Sequence, residues 1–287
     1  MSEKPVPRFS ATNTTAAYQL RYHFGWYTHG RNPSLANTRA RQVIEQAFAK
    51  VTQAQNYHVL GLATEPVAIR ALLSLTPNPA PSEVTRRVKG TLAAAARDEL
   101  GLQQLWSRGW FLRSVGSCTN DVVRNYIAAQ FDHHRATPVE QPELVTLARF
   151  HSKADPTRLR KGAHVVFEYN VHFVFVTPGR REFLDPYVAQ ELIDYWKRVC
   201  DKKAWTLWDV EVLWDHCHLF LGLKPAESPL AVALSLMNNS SWFLEQRHGT
   251  VLHSEGLSAV WRPAFYAGTA GSATTAQVKA FLQSGMS

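Results

Sequence analysis

At 287 residues the chain exceeds the usual size of one domain and favours two compact units. A composition of 45% hydrophobic and 19% charged residues excludes a disordered chain, and Cys118, Cys200 and Cys217, with no CxxC spacing, exclude a disulfide scaffold and a structural zinc site. A formal net charge of +8 favours a polyanionic partner without requiring one.

The start, Met1 to Ala17, is polar and reads as a flexible tail (1–17) without the apolar stretch of a signal peptide. Next, Tyr22-His23-Phe24 reads as a strand running into a basic turn, Gly30-Arg31-Asn32-Pro33-Ser34-Leu35. Thr38 to Thr52 carries Val43, Ala47 and Phe48 at helical spacing. Strands follow at Tyr57 to Leu62 and Ala68 to Leu75, and Pro81 leads into a helix bearing Arg86, Arg87 and Lys89. The segment Leu105-Trp106 to Val115-Gly116-Ser117 precedes a helix over Asn120 to Phe131, for which Asn120 is the expected N-cap.

The same order then returns. Val171-His172-Phe173 runs to Gly179-Arg180-Arg181-Glu182-Phe183-Leu184, and Pro186 to Cys200 carries Leu192, Ile193, Trp196 and Val199 at helical spacing. Strands at Thr206 to Val212 and His216 to Leu223, a helix after Pro229, the segment Val260-Trp261 to Ala270-Gly271-Ser272 and a helix over Thr275 to Ser284 complete the match. Shared order over most of both halves implies duplication, with units at 18–131 and 163–287. Between them, 132–162 reads as a basic linker with Pro138, Pro142 and Pro156 and with Arg149, Lys153, Arg158, Arg160 and Lys161. It is either a solvated connection or a strap for a DNA backbone, and Leu144 to Phe150 reads as a short helix within it. No run nears the roughly 20 apolar residues a membrane span needs, so a soluble, cytoplasmic protein is expected.

Two places carry chemistry. On a strand His216 and His218 point to one face while Cys217 points to the apolar side, so two imidazoles converge. Such a pair is half of a divalent metal site, although two satisfied histidines would read the same way. In the helix ending the first half, Tyr126 and Gln130 are four residues apart and share a face. A phenol there can attack a phosphodiester and the amide can complete a ligand set, although both are also ordinary core-edge residues. Strand-helix-strand units with this pair on a middle strand suggest an α+β fold, an antiparallel sheet with helices packed on it, two copies joining edge to edge.

Taken together, the first-strand motifs around Tyr22-His23-Phe24 and Val171-His172-Phe173, Asp215-His216-Cys217-His218-Leu219, Pro79-Ala80-Pro81-Ser82-Glu83-Val84 leading to Arg86-Arg87-Val88-Lys89-Gly90, Leu105-Trp106-Ser107-Arg108-Gly109-Trp110-Phe111 and Val123-Arg124-Asn125-Tyr126-Ile127-Ala128-Ala129-Gln130 resemble the single-tyrosine insertion-sequence transposases of the HUH endonuclease superfamily. The resemblance implies two tandem HUH/ferredoxin-like domains arranged as a pseudo-dimer. It implies a divalent ion, magnesium or manganese, held by His216, His218 and Gln130, with Tyr126 attacking to give a 5′-phosphotyrosine. It implies a single-stranded, hairpin-forming DNA partner, which would associate the protein with the nucleoid, and Arg86, Arg87, Lys89, Arg108 and Arg124 as DNA contacts. Trp106 and Trp110 are either base-stacking platforms or core.

The two copies have complementary losses. Ala68 and Arg70 stand where the second half has His216 and His218, and Phe281 and Gly285 stand where the first has Tyr126 and Gln130. One site assembled from the helix of the first copy and the histidines of the second explains both losses. Against this stand a catalytically silent DNA-binding descendant and a metal-dependent hydrolase that uses water.

Overall fold

The computed structural model describes residues 8–133, 146–254 and 259–284. In the first half, β1 (Thr15–Thr28), α1 (Thr38–Ala54), β2 (His58–Glu65), β3 (Ala68–Leu75), α2 (Pro81–Leu100), β4 (Trp106–Val115) and α3 (Asn120–His133) follow in order. After β5 (Ala148–His151) and β6 (Arg160–Lys161) come β7 (Val165–Glu168), β8 (Asn170–Val176), α4 (Pro186–Lys203), β9 (Thr206–Val212), β10 (His216–Gly222), α5 (Pro229–Ser254), β11 (Ala264–Ala270) and α6 (Thr275–Ser284). The fold is α+β. Each half forms a four-stranded antiparallel sheet, β2-β3-β1-β4 and β9-β10-β8-β11, as in a ferredoxin-like unit.

Period-two patterning sets the two faces. Leu20, Tyr22, Phe24 and Trp26 of β1, Ile69, Ala71 and Leu73 of β3, Phe173 and Phe175 of β8, and Cys217, Leu219 and Leu221 of β10 lie in one continuous core. That core also holds Ile44 and Phe48 of α1, Val84 and Val88 of α2, Leu192 and Trp196 of α4 and Leu236 of α5. Four helices therefore cover one face. Asn37 caps α1 by accepting from the Ala40 N–H and Asp185 caps α4 by accepting from the Val188 N–H.

The halves interlock. Residues Thr15 to Gln19 of β1 run parallel to β11, and β7 runs parallel to β4 from Trp110↔Val165 to Arg113↔Glu168. At the crossing the Ser114 hydroxyl donates to the Ala270 carbonyl at 2.6 Å and the Thr269 hydroxyl to the Val115 carbonyl at 2.7 Å. Each terminal helix then crosses to the other half's sheet. Val278 and Leu282 of α6 pack with Ala63, Leu72 and Val115, while Val123 and Ile127 of α3 pack with Trp208, Phe220 and Ala270.

Two sequence expectations change. Ala148 to His151 is a strand, not a helix, pairing with the β9 edge, while Leu144 lies outside the described residues. The reason is alternation: Ala148 and Phe150 turn inward, while Arg149 and His151 reach Glu211 and Asp209 on the neighbouring strand. Asn120 opens α3 rather than capping it. Its buried amide donates to Glu168 at 2.8 Å, because this residue sits at the crossing of the halves. No helix among the described residues is long and apolar enough to cross a membrane.

Candidate composite active site

Strand β10 lays His216, His218 and Phe220 on the face opposite the four-helix core, with Cys217 fully buried on the other side. The two imidazole rings are 5.1 Å apart between centroids and lie at 76°. Both are buried, at 8% and 4% exposure. The His216 Nδ1 meets the Asp215 carboxylate, which also accepts from the Arg180 Nε at 2.7 Å. Burial works against the Asp215 charge, but these two partners outweigh it and hold the carboxyl below its ordinary pKa. The His218 Nδ1 is 3.0 Å from His172 Nε2, on the adjacent strand β8. Burial, then the neighbouring His172 and His216, pushes His218 well down, and burial lowers His172 to about 4, so both are neutral at physiological pH.

This environment suits a divalent ion as half of a ligand set. A metal needs neutral imidazole, and a carboxylate on the far ring nitrogen fixes a ligand's tautomer and orientation. With Nδ1 of each ring engaged, Nε2 is the coordinating atom each ring has to offer. Among the described residues no group of three or more His, Cys, Asp or Glu side chains could hold a metal.

Helix α3 supplies the other half. Phe220, two residues beyond His218 on the same face, shares one buried cluster with Val123 and Ile127 of α3, together with Trp208 and Ala270. The helix bearing Tyr126 and Gln130 is thus seated on the strand face that bears the histidines; those two side chains lie outside the described residues. Beside it, a cavity of about 190 Å³ is lined by His172, Tyr266, Val122 and Val123 among others.

The mirror position shows the other site. Phe281, the counterpart of Tyr126, is on α6; Arg70, the counterpart of His218, places its guanidinium 5.7 Å from the Phe281 ring. His23, the counterpart of His172, lies 6.4 Å from that ring between centroids. Ala68 leaves the second histidine position empty of any ligand. Gly285 lies outside the described residues.

The sequence-expected DNA contacts divide. Arg86 and Arg108 are exposed. Arg87 pairs with Glu83 at 2.7 Å, and Lys89 is half-buried with its ammonium donating to the Ser107 carbonyl at 2.6 Å. Arg124 is spent inside the protein, on Asp209 at 3.0 Å and the Ser152 carbonyl at 2.7 Å. In the connecting segment Arg160 is likewise internal, donating to the Tyr169 and Leu223 carbonyls. Trp106 is buried with its indole donating to the Lys89 carbonyl, and Trp110 stacks on Phe24, so both belong to the core.

Sequence reasoning gave no role to His172 or Asp215. A signal for His172 was present: both copies carry a histidine at this place in the first strand, His23 and His172. Asp215 gave none, since an acidic residue before a strand is commonplace.

The IS200-like transposase family matches the chain twice, over residues 16–130 and 165–285, and the chain belongs to that family. A protein assigned as a transposase in Deinococcus radiodurans R1 is 21% identical, covering 40% of this chain and 92% of that one, with a TM-score of 0.33. A REP-associated tyrosine transposase bound to a REP hairpin is 18% identical, covering 49% of this chain and 78% of that one, with a TM-score of 0.30. No curated protein matches the chain.

Proposed function

We propose that the chain cleaves and rejoins single-stranded DNA at one composite site, in transposition or in a domesticated nicking and rejoining role. Its two copies act as an internal pseudo-dimer. Tyr126 on α3 is the nucleophile, and His216 and His218 on β10 with Gln130 on α3 hold a divalent ion, magnesium or manganese. The observation that carries this reading is the seating of α3, through Val123 and Ile127, on the face of the second half that bears both histidines. The construction of the fold supports it too, because in the mirror position the counterparts of Tyr126, His218 and His172 meet as Phe281, Arg70 and His23.

A bound ion would polarise the scissile phosphate and neutralise charge on its oxygens. The Tyr126 oxygen forms a bond to phosphorus, the bond from phosphorus to the 3′ oxygen breaks, and that oxygen leaves with a proton as a free 3′-hydroxyl. The strand remains joined to the enzyme as a 5′-phosphotyrosine. Attack by a 3′-hydroxyl on this linkage reverses the step, returns the proton to the phenol and joins new ends without a nucleotide cofactor. His172 and Asp215 hold the two imidazoles in their orientation throughout. The partner is single-stranded DNA with hairpin-forming ends, contacted by Arg86 and Arg108, which are exposed, while Lys89 holds the Ser107 carbonyl beside Arg108 and Arg87 and Arg124 are engaged by Glu83 and Asp209.

The test is incubation with end-labelled hairpin DNA and manganese followed by denaturing electrophoresis. A denaturation-resistant adduct that vanishes in Tyr126→Phe is expected. Retarded migration in native gels with no adduct at all would instead fit the silent DNA-binding descendant, and cleavage surviving Tyr126→Phe would fit a hydrolase using water.

A further inference from the structure

The abandoned mirror site has not collapsed. Between β3, β4 and α6 lies a cavity of about 330 Å³, larger than the 190 Å³ cavity beside the histidine pair and within the range of ligand pockets. Its lining includes His23, Arg70, Phe111, Arg113 and Phe281. We propose that this cavity is a second DNA site, which grips a phosphate and its neighbouring base from single-stranded DNA without cutting. The proposal rests on the reading of the chain as a single-strand handler and assigns a role to the copy that lacks the chemistry.

The charge comes from two arginines that the other site lacks. Arg70 occupies the strand position of His218, so a guanidinium stands where a metal-binding imidazole stands in the other half. Arg113 occupies the position of Gly268, where the other site has no side chain. Each has its Nε against a carboxylate, Arg70 on Glu65 at 2.7 Å and Arg113 on Glu168 at 3.0 Å. The remaining guanidinium N–H groups are the donors for a ligand, and planar paired donors suit phosphate oxygens. Arg113 also serves the junction through Glu168, but simple decay of an unused site gives no reason to place the Arg70 guanidinium in a largely apolar recess, where it must be desolvated and paired.

An independent observation points into the same cavity. His23 is 7% exposed, and its Nε2 is buried with no hydrogen-bond partner among the described residues. Burial, then Arg70 and Arg113, lowers its pKa to about 4, so the ring is neutral and can donate to or accept from a ligand. An unmatched buried polar atom is unfavourable until something bonds to it. The walls are aromatic: Phe111 meets the His23 ring edge-on at 5.7 Å, and Phe281 is 53% exposed with Arg70 over its ring. Cations beside a flat apolar surface match a phosphate next to a base, since stacking on aromatic side chains is tolerant of sequence. No phenol on α6 matches Tyr126 and no histidine at Ala68 matches His216, so the cavity lacks the counterparts of the proposed nucleophile and metal ligands; the phenol it does contain, Tyr27 on β1, has the Arg31 guanidinium 4.5 Å from its ring.

The test uses the full chain and a short fluorescent oligothymidylate, with EDTA present so that no ion contributes at His216 and His218. Arg70→Gln is expected to bind about tenfold more weakly and to lower the slope of log affinity against log salt by about 0.7, one phosphate contact on a single strand. In parallel, wild-type protein is irradiated with the same oligonucleotide carrying 5-iododeoxyuridine and the crosslinked peptides are sequenced, which does not depend on a variant folding. Crosslinks at Phe281 or Phe111 are expected. An unchanged salt slope in a folded Arg70→Gln protein, or crosslinks confined to other peptides, overturns the proposal. The two readings fail separately: an adduct at Tyr126 with no Arg70 dependence of binding removes the second site alone, whereas the Arg70 effect without any adduct removes the catalytic reading alone.

Discussion

At the scale of single residues the proposed site rests on side chains placed behind the two imidazoles. Asp215 holds the His216 Nδ1 and is itself held by Arg180, and such a carboxylate makes the far nitrogen a better and better-aimed ligand. Asp215→Asn keeps the shape and the contact with Arg180 but removes the charge. Manganese affinity, measured by calorimetric titration, is expected to fall by about 10- to 100-fold, with little change in melting temperature. An unaltered affinity would mean that His216 does not serve as a ligand in this orientation. The histidine pair itself was legible in the sequence because alternation along a strand is a local rule. The roles of Asp215 and His172 were not, because His172 reaches His218 only through the pairing of β8 with β10, 46 residues apart.

At the scale of elements the exchange of the terminal helices is the decisive feature. Ile127 of α3 and Leu282 of α6 are both 2% exposed, each on the sheet of the opposite half. Truncating either to alanine should cost about 2 to 4 kcal/mol of stability. Only Ile127→Ala, which loosens the helix carrying Tyr126, is expected to slow adduct formation at saturating DNA; Leu282→Ala should leave that rate near wild type. Equal slowing by both variants would show that the rate tracks overall stability and that the seat of α3 has no special part. The sequence delivered the strands and helices of both copies because each carries a clear period and proline or turn punctuation. It missed β5, whose four residues are too few to show a period and whose strand form is fixed by the Glu211 and Asp209 partners on β9. It also misread Asn120, whose helix-capping chemistry is overridden by Glu168 across the junction.

At the scale of the whole molecule the two copies cannot be independent units. The buried Glu168 of the second half accepts from Asn120 at the start of α3, pairs with Arg113 of β4, and accepts from the Ser272 backbone N–H at 2.6 Å just before α6. Tyr22 of β1 meets Tyr169 edge-on at 5.7 Å, within the apolar core shared by both halves. Parallel pairings at β1 with β11 and β4 with β7 complete the lock, and each terminal helix leaves an apolar face bare if its partner half unfolds. Losing one half therefore removes the burial that stabilises the other, so unfolding should be a single cooperative event. Urea titration can follow it with two probes of different weighting. Tryptophan fluorescence reports mainly the second half, which holds six of the nine tryptophans, and far-ultraviolet circular dichroism reports both halves. Coincident transitions are expected. Gly271→Ala, whose added methyl would run into the Ser114 carbonyl at the crossing, should move both probes together to lower urea. Two separated transitions, or a Gly271→Ala shift seen by one probe only, would show that the halves unfold as independent domains and would remove the structural basis for a site shared between them.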